Sequence, residues 1–341
     1  MTRLSKGLLY VAATIAVVGT ILPAAADDFF AGKRITITHF GGAGNAYDAY
    51  SRLLTRHLGR YIPGNPSFVV VSQPGAGGLT QVNYAARIAP QDGTLISLIS
   101  DGMVMYEASG RPGMQESLGK FKWLGALSRS NQVTIPWHTS NIRTLEDAKK
   151  REVRLGGSGV AAMSTVLPQL YNSLVGTRFV TVQGYKGAPD QNLALERGEL
   201  DGRGVASWTS YKNMMPQEIR DGKVHVIVQV GLERESDLPK VPLLNELAGT
   251  DLQNRAVTTF VSKALMLTRS VVAPPGVPDN RVAILRRALA EVVNDKEFLA
   301  EADKLVLDVG FRPGAEVQEL VGDILTSPKD VVERMKIMMK F

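Results

Sequence analysis

Apolar and polar positions change their period several times along this chain, and glycine marks each change near its front. Residues 35–38 and 68–72 have the alternating or β-branched apolar side chains that are typical of strands. Apolar residues then recur at helical spacing over residues 46–58 and 79–88. Strands that alternate with helices in this way predict an α/β fold with a mainly parallel sheet flanked by helices.

A glycine-rich turn separates each of these strands from its helix. The first turn spans residues 40–45 and the second spans residues 75–78. At the carboxyl end of a parallel strand, such turns leave backbone N–H groups free at a helix N-terminus, where an anion binds without a catalytic side chain. Two turns of this kind predict a site for a carboxylate or a phosphate. The residues are Phe40, Gly41, Gly42, Ala43, Gly44 and Asn45, and then Gly75, Ala76, Gly77 and Gly78.

The rest of the chain continues the alternation and indicates a second unit. The apolar run at residues 94–100 predicts a third buried strand, and a different region begins near residue 130. Asp279 is expected to cap a helix near the C-terminus. Further strands are predicted at residues 133–137, 153–155, 179–182 and 224–230, and further helices from residue 144, over residues 164–174 and from residue 279. We therefore expect two lobes without a flexible linker.

The amino terminus predicts export. Arg3 and Lys6 precede an apolar run over residues 8–22, and residues 24–26 are small, as signal peptidase requires. The run has about 15 residues, which is short for a membrane span. We interpret residues 1–26 as a cleaved signal peptide and expect a periplasmic protein. An uncleaved anchor helix is the alternative.

Composition excludes several function classes. The 341-residue chain has no cysteine, so thiol nucleophiles, thiolate metal sites and redox motifs are absent from it. About 315 residues remain after cleavage, enough for two α/β domains with full cores. Loss of Arg3 and Lys6 lowers the formal net charge from +6 to +4, and no dense block of Lys and Arg indicates a nucleic-acid partner.

Catalytic motifs are incomplete. Residues 156–160 depart from Gly-x-Ser-x-Gly at the last position, and both early turns lack the third glycine of a dinucleotide fingerprint. No histidine pair has metal-ligand spacing; the four histidines are His39, His57, His138 and His225. We expect no metal, no cofactor and no catalytic residue. An exported hydrolase or lyase that acts on a small acidic metabolite stays an alternative, because scattered catalytic residues leave no motif.

Six short motifs in register resemble the substrate receptors of tripartite tricarboxylate transporters, the Bug or TctC-like periplasmic binding proteins. They are Gly41-Gly42 with Asp48 and Arg52, Gln-Pro-Gly-Ala-Gly-Gly at 73–78, Pro-Gln-Asp-Gly-Thr at 90–94, Gly-Tyr-Lys-Gly at 184–187, Glu-Arg-Gly-Glu-Leu-Asp at 196–201 and Ala-Pro-Pro-Gly-Val-Pro at 273–278. The resemblance covers nearly the whole chain. It implies a monomeric, two-lobed receptor of the Venus-flytrap type with a strand hinge.

The resemblance also implies a function and a site. The receptor closes on a small organic carboxylate and delivers it to a large and a small membrane subunit; a receptor that feeds a sensor is the alternative. Lobe 1 would comprise residues 27–130 with 268–341, and lobe 2 residues 131–267. First-lobe contacts would be residues 40–45, Asp48, residues 75–78, Ser100 and Asp101, and second-lobe contacts would be Gly157, Ser158, Tyr185, Lys186, Gly187 and Ser207.

Several of these residues have a second interpretation. Asp48 would complement the dipole of the helix in which it lies, Lys186 would be solvated, and Tyr185 would pack in the core. The first turn is also longer and more aromatic than the commoner family pattern. Phe40 and Tyr47 therefore favour an aromatic or aliphatic acid over citrate as the ligand.

Overall fold

The computed structural model describes residues 28–42, 44–157, 162–185 and 187–340, so the predicted signal peptide lies outside the described residues. The strands are β1 (Arg34–His39), β2 (Ser67–Ser72), β3 (Leu95–Leu98), β4 (Lys122–Ala126), β5 (Gln132–Pro136), β6 (Val153–Gly156), β7 (Phe179–Val182), β8 (Gly202–Ser207), β9 (Val228–Val230), β10 (Ser270–Ala273) and β11 (Arg312–Pro313). In the described part of the chain, no helix has the length and apolar character needed to cross a membrane.

Helices cover the sheets. They are α1 (Ala46–His57), α2 (Leu79–Arg87), α3 (Gly102–Ala108), α4 (Leu145–Lys150), α5 (Met163–Val175), α6 (Ala188–Glu196), α7 (Trp208–Met214), α8 (Pro216–Arg220), α9 (Leu244–Leu247), α10 (Leu252–Leu265), α11 (Asp279–Val292), α12 (Lys296–Lys304), α13 (Gly314–Leu325) and α14 (Lys329–Met339). Short 3₁₀ turns occur at Asp28–Phe30, Leu58–Tyr61, Ala76–Gly78, Leu118–Lys120 and His138–Ser140.

Two separate sheets confirm the predicted two-lobed α/β fold. The first has the order β11-β4-β10-β3-β1-β2 and the second has the order β7-β6-β8-β5-β9. The sheets are mixed, so the expectation of mainly parallel sheets is wrong. β1 runs parallel to β2 and β3, and β6 runs parallel to β7 and β8. However, β10 is inserted antiparallel between β3 and β4, and β5 is inserted antiparallel between β8 and β9.

The chain passes between the sheets twice. Residues 127–131, the first crossing, lead from β4 to β5, and residues 266–269, the second crossing, lead from α10 back to β10. The N–H of Leu127 donates to the carbonyl of Arg269 at 3.2 Å, so the two crossings lie side by side. The proposed lobe limits stay a prediction, because α10 packs against α9 and also against α3, α13 and α14.

The cores follow the layers. The face of the first sheet that carries α1, α11 and α12 forms one apolar cluster, which includes Ile37 and Leu289. The face of the second sheet that carries α6 and α7 forms another, which includes Ala206 and Tyr211. The remaining faces share one large cluster that extends from Trp123 through α5, α10 and α14. The C-terminal helix contributes to it directly, since Ser173 Oγ of α5 donates to the carbonyl of Met338 at 2.7 Å.

Two local predictions need correction. The apolar pattern at residues 224–230 forms a strand only at Val228–Val230. Val224 makes an isolated bridge with Trp137 and is not part of that strand. Asp279 does not cap its helix, since Pro278 holds the N-cap position and the Asp279 carboxylate accepts from Lys122 Nζ at 2.8 Å. The helix expected from residue 144 is confirmed.

Candidate functional site

The first turn of α1 holds the C-terminal end of loop 1, which comprises residues 40–45. The Asn45 side chain accepts from the N–H of Asp48 at 2.9 Å and caps the helix. In return, Asp48 Oδ2 accepts from the N–H of Gly44 at 2.9 Å. This reciprocal pair satisfies backbone donors that would otherwise be orphaned at the helix start.

The Asp48 carboxylate is fully engaged within its own lobe. Besides Gly44, it binds Arg52 Nε at 3.0 Å and lies 3.3 Å from His39 Nε2. Burial disfavours its charged form, but the hydrogen bonds from Arg52 and Gly44 outweigh burial and lower the pKa of Asp48. Asp48 is 5% exposed. The structure therefore supports the second interpretation of Asp48, as a residue that positions loop 1.

Loop 2, residues 75–78, has an unusual backbone. All four of its residues have positive φ, from 45° at Ala76 to 139° at Gly75. Only glycine adopts this region without strain, so three of the four positions are glycine for a steric reason. The loop ends as Gly78 becomes the N-cap of α2. Gly75, Ala76 and Gly77 are exposed, so this loop presents mainly backbone to its surroundings.

The loops after β1, β2 and β3 meet at one edge of the first sheet. Ser72 Oγ donates to the carbonyl of Gly41 at 2.7 Å, which ties the end of β2 to loop 1. A Cβ placed on Gly78 would lie 3.2 Å from Ser100 Cβ and 3.6 Å from Phe40 Cγ, so loop 2 lies against both neighbours. The structure thus brings loop 2 and Ser100 together with the described part of loop 1.

An aromatic wall joins loop 1 to the second crossing. The rings of Phe40 and Tyr47 pack edge to face, with their centroids 4.5 Å apart. The Arg269 guanidinium lies over the Tyr47 ring, 4.3 Å from its centroid. Burial raises the pKa of the Asp101 carboxyl, and the nearby Arg269 opposes that rise. Sequence reasoning missed Arg269, because only the antiparallel return of β10 brings it to this edge.

The second sheet presents its candidates at the ends of β6, β7 and β8. The N–H of Gly157 donates to the carbonyl of Val182 at 2.8 Å, so Gly157 extends the sheet. Gly187 is the N-cap of α6, and Ser207 caps α7 by accepting from the N–H of Ser210 at 3.5 Å. Tyr185 is half-buried and packs against the apolar cluster under α6 and α7. Ala43, Ser158 and Lys186 lie outside the described residues.

One group of possible metal ligands lies away from these loops. His57, Asp295 and Glu297 place ligand-type atoms near one another. The guanidinium of Arg60 already contacts all three, at 2.8 Å from His57 Nδ1, 2.9 Å from Asp295 Oδ2 and 2.6 Å from Glu297 Oε2. A fixed cation therefore occupies the position that a metal ion would need.

Two mixed sheets joined by two short crossings, with glycine-rich loops at the edges of both, define the fold of a two-lobed periplasmic binding protein. No protein-family model matches the chain. A UPF0065 protein of Bordetella bronchiseptica is 21% identical over 282 residues, which are 80% of this chain and 77% of the relative.

Solved structures share the fold over nearly the whole chain. A TctC solute-binding protein from Polaromonas has a TM-score of 0.62 at 16% identity and covers 91% of this chain and 99% of its own. An R. palustris protein with adipate has a TM-score of 0.65 at 17% identity, with coverage of 90% and 97%. MatC from Rhodopseudomonas palustris with bound malate has a TM-score of 0.63 at 18% identity, with coverage of 90% and 99%. The resemblance to the Bug, or TctC-like, receptors is confirmed.

Proposed function

We propose that this chain is a periplasmic receptor that binds a small carboxylated organic acid between its lobes. It delivers the acid to the large and small membrane subunits of a tripartite transporter. The observation that carries the proposal is the meeting of loop 1, loop 2 and Ser100 at one edge of the first sheet.

This edge attracts anions for a physical reason. Two helices begin there, α1 after Asn45 and α2 after Gly78. The start of a helix has roughly half a unit of positive charge, worth about 1–2 kcal/mol to a carboxylate in a partly buried position. Two such ends on one carboxylate would distinguish an acid from its amide.

The residues divide into two groups in this proposal. Residues 40–45, residues 75–78, Ser100 and Asp101 hold the carboxylate, and Asp48 keeps loop 1 in shape. The second lobe contacts the remainder of the ligand through Gly157, Ser158, Tyr185, Lys186, Gly187 and Ser207. The ring pair of Phe40 and Tyr47 favours an aliphatic or aromatic acid over citrate.

The similar proteins support a role in binding a ligand without converting it. One is a solute-binding protein, and two others hold adipate and malate, which are dicarboxylates. An acid ligand, a periplasmic location and the absence of catalysis are the simplest inferences for a chain with the same fold.

Thermal unfolding of the mature chain tests the proposal. The panel contains mono-, di- and tricarboxylates, aromatic acids and the amide of each. A ligand at about 100 times its dissociation constant stabilises the folded protein by roughly 2.7 kcal/mol, an easily measured shift. We expect a shift for one acid and none for its amide, and NMR of the mixture should recover the acid unchanged. A flat panel, or conversion of the acid, would contradict the proposal. Uptake of the acid by cells with and without the membrane subunits tests delivery.

A further inference from the structure

A buried guanidinium in the second lobe faces no carboxylate of the residues that the structure describes. Arg203 lies in β8 and is 8% exposed. Its Nη1 is 3.4 Å from Asn192 Oδ1 and its Nη2 is 3.5 Å from the carbonyl of Val205, both long for hydrogen bonds to a cation. Its Nε has no partner. Burial lowers the pKa of Arg203, and among the described residues the only ionisable side chain that opposes this is Tyr211.

The neighbours of Arg203 are donors as well. The guanidinium carbon lies 5.6 Å from the ring centroid of Tyr211, whose hydroxyl is buried and unpartnered. The amide Nδ2 of Asn192 faces the sulfur atoms of Met214 at 3.0 Å and Met215 at 3.7 Å, which are weak acceptors. Three side chains thus place donors in one buried region that offers them few acceptors. Such an arrangement is costly unless an anion supplies the missing acceptors.

The position of this donor cluster links it to the second-lobe loops. Arg203 pairs with Gly156, the last residue of β6, and its Nη2 is directed onward to Val205, toward the carboxyl edge of the sheet. Asn192 lies in α6, the helix that Gly187 caps. Tyr185 packs on the same apolar cluster as Tyr211. Because Arg203 contacts Asn192, the guanidinium lies beneath α6, the helix that begins after Gly187.

We propose that Arg203, Tyr211 and Asn192 bind the second carboxylate of a dicarboxylic acid. This inference rests on the proposed function, in which the loops of the first lobe hold the first carboxylate. Guanidinium and carboxylate form charge-assisted, often bidentate hydrogen bonds, and a phenol and an amide complete the acceptor's shell. Arg203 is then the residue that distinguishes a dicarboxylate from a monocarboxylate of equal length.

The variants Arg203→Met and Arg203→Lys test the proposal, with Arg154→Met as a control. Arg154 is a half-exposed arginine of the same sheet, paired with Asp201, so its loss changes the net charge equally. The probes are adipate with hexanoate and malate with 2-hydroxybutyrate, measured by titration calorimetry. We expect Arg203→Met to weaken dicarboxylate binding about tenfold or more and monocarboxylate binding less than about twofold. Arg203→Lys should bind the dicarboxylate at an intermediate strength, and Arg154→Met should bind as the parent does.

Unliganded stability separates a binding role from a structural one. A buried cation without a partner is destabilising, so unliganded Arg203→Met should unfold at the same or a higher temperature than the parent. Tyr211→Phe should behave similarly, because its hydroxyl has no partner to lose. A folded Arg203→Met protein with unchanged dicarboxylate affinity would overturn the inference. A parent protein that binds only monocarboxylates would also overturn the inference and leave the proposed function intact. If none of the acids shifted the unfolding temperature, both the inference and the proposed function would be contradicted.

Discussion

The guanidinium of Arg269 lies 4.3 Å from the centre of the Tyr47 ring, so a residue of the second crossing packs directly on the first turn of α1. Arg269 is partly buried, and its charge opposes the rise that burial causes in the pKa of Asp101, which follows β3. The charge of Arg269 thus acts on the crossing, on the first turn of α1 and on the end of β3. The stability of this edge should depend on it.

Replacing Arg269 should destabilise the protein in a pH-dependent way. In Arg269→Leu, Asp101 loses its cation, and burial holds its folded-state pKa above the unfolded value still more strongly. Because the pKa of Asp101 is raised in the folded state, its contribution to the free energy of unfolding is largest at low pH. That contribution falls as pH rises through the folded-state pKa. We expect a loss of about 1–3 kcal/mol near pH 7 and a smaller loss near pH 4. Urea unfolding at the two pH values measures the loss of stability. In the double variant Arg269→Leu/Asp101→Asn, the loss should be the same at both pH values.

The charge at loop 2 should control anion binding. Gly77 has a φ of 66° and open space around its Cβ position, so a side chain there projects freely. Gly77→Asp should weaken binding of the acid found in the panel about tenfold or more, because a carboxylate repels an anion beside a helix N-terminus. Gly77→Asn is the matched neutral control, since Asn tolerates positive φ. Equal losses in both variants would mean that bulk, and not charge, disturbs the loop.

Asp48 should contribute stability only above acidic pH. Its folded-state pKa is lowered, because the hydrogen bonds from Arg52 and Gly44 outweigh the effect of burial. The contribution is therefore fully present above the ordinary pKa of an aspartate, 3.8, and is lost as pH falls through the lower folded-state pKa. We expect Asp48→Asn to lose about 1–2 kcal/mol at pH 7 and to converge with the parent near pH 2. Chemical unfolding across this range gives both curves; parallel curves would contradict the prediction.

Gly157 should be intolerant of even a methyl group. A Cβ there would lie 2.4 Å from Thr181 Cγ2 and 2.9 Å from Thr165 Oγ1. Gly157→Ala should cost about 1–3 kcal/mol through overpacking. Gly322→Ala is the control, because Gly322 lies in α13 with nothing within 4 Å of its Cβ position, and alanine should stabilise that helix by about 0.5–1 kcal/mol. Thermal unfolding of the two variants compares them directly.

The sequence was sufficient to predict the first-lobe edge, because a glycine turn between a strand and a helix has few other structural solutions. Loop 1, loop 2 and Ser100 lie together for that reason. The direction of β10 and β5 was not predictable, since a short apolar run has the same pattern in either direction. That limitation explains why the antiparallel strands of the two sheets were not predicted.

Arg269 and Arg203 were missed for a related reason. Nothing in the local pattern distinguishes a buried arginine from a solvated one, because the burying residues come from distant segments. Tyr47 covers Arg269 from more than two hundred positions away, and Tyr211 covers Arg203 from the next helix. The burial of an arginine becomes visible only when the packing is known.

The hydrogen bond from Ser173 to the carbonyl of Met338 has a mechanical consequence. With the paired crossings at Leu127 and Arg269, it gives the second sheet a further point of attachment to the rest of the molecule. Two crossings that lie side by side allow the sheets to rotate about one axis. A further attachment away from that axis limits the angle of rotation. Removal of α14 should therefore widen the range of angles between the sheets and increase the radius of gyration in solution.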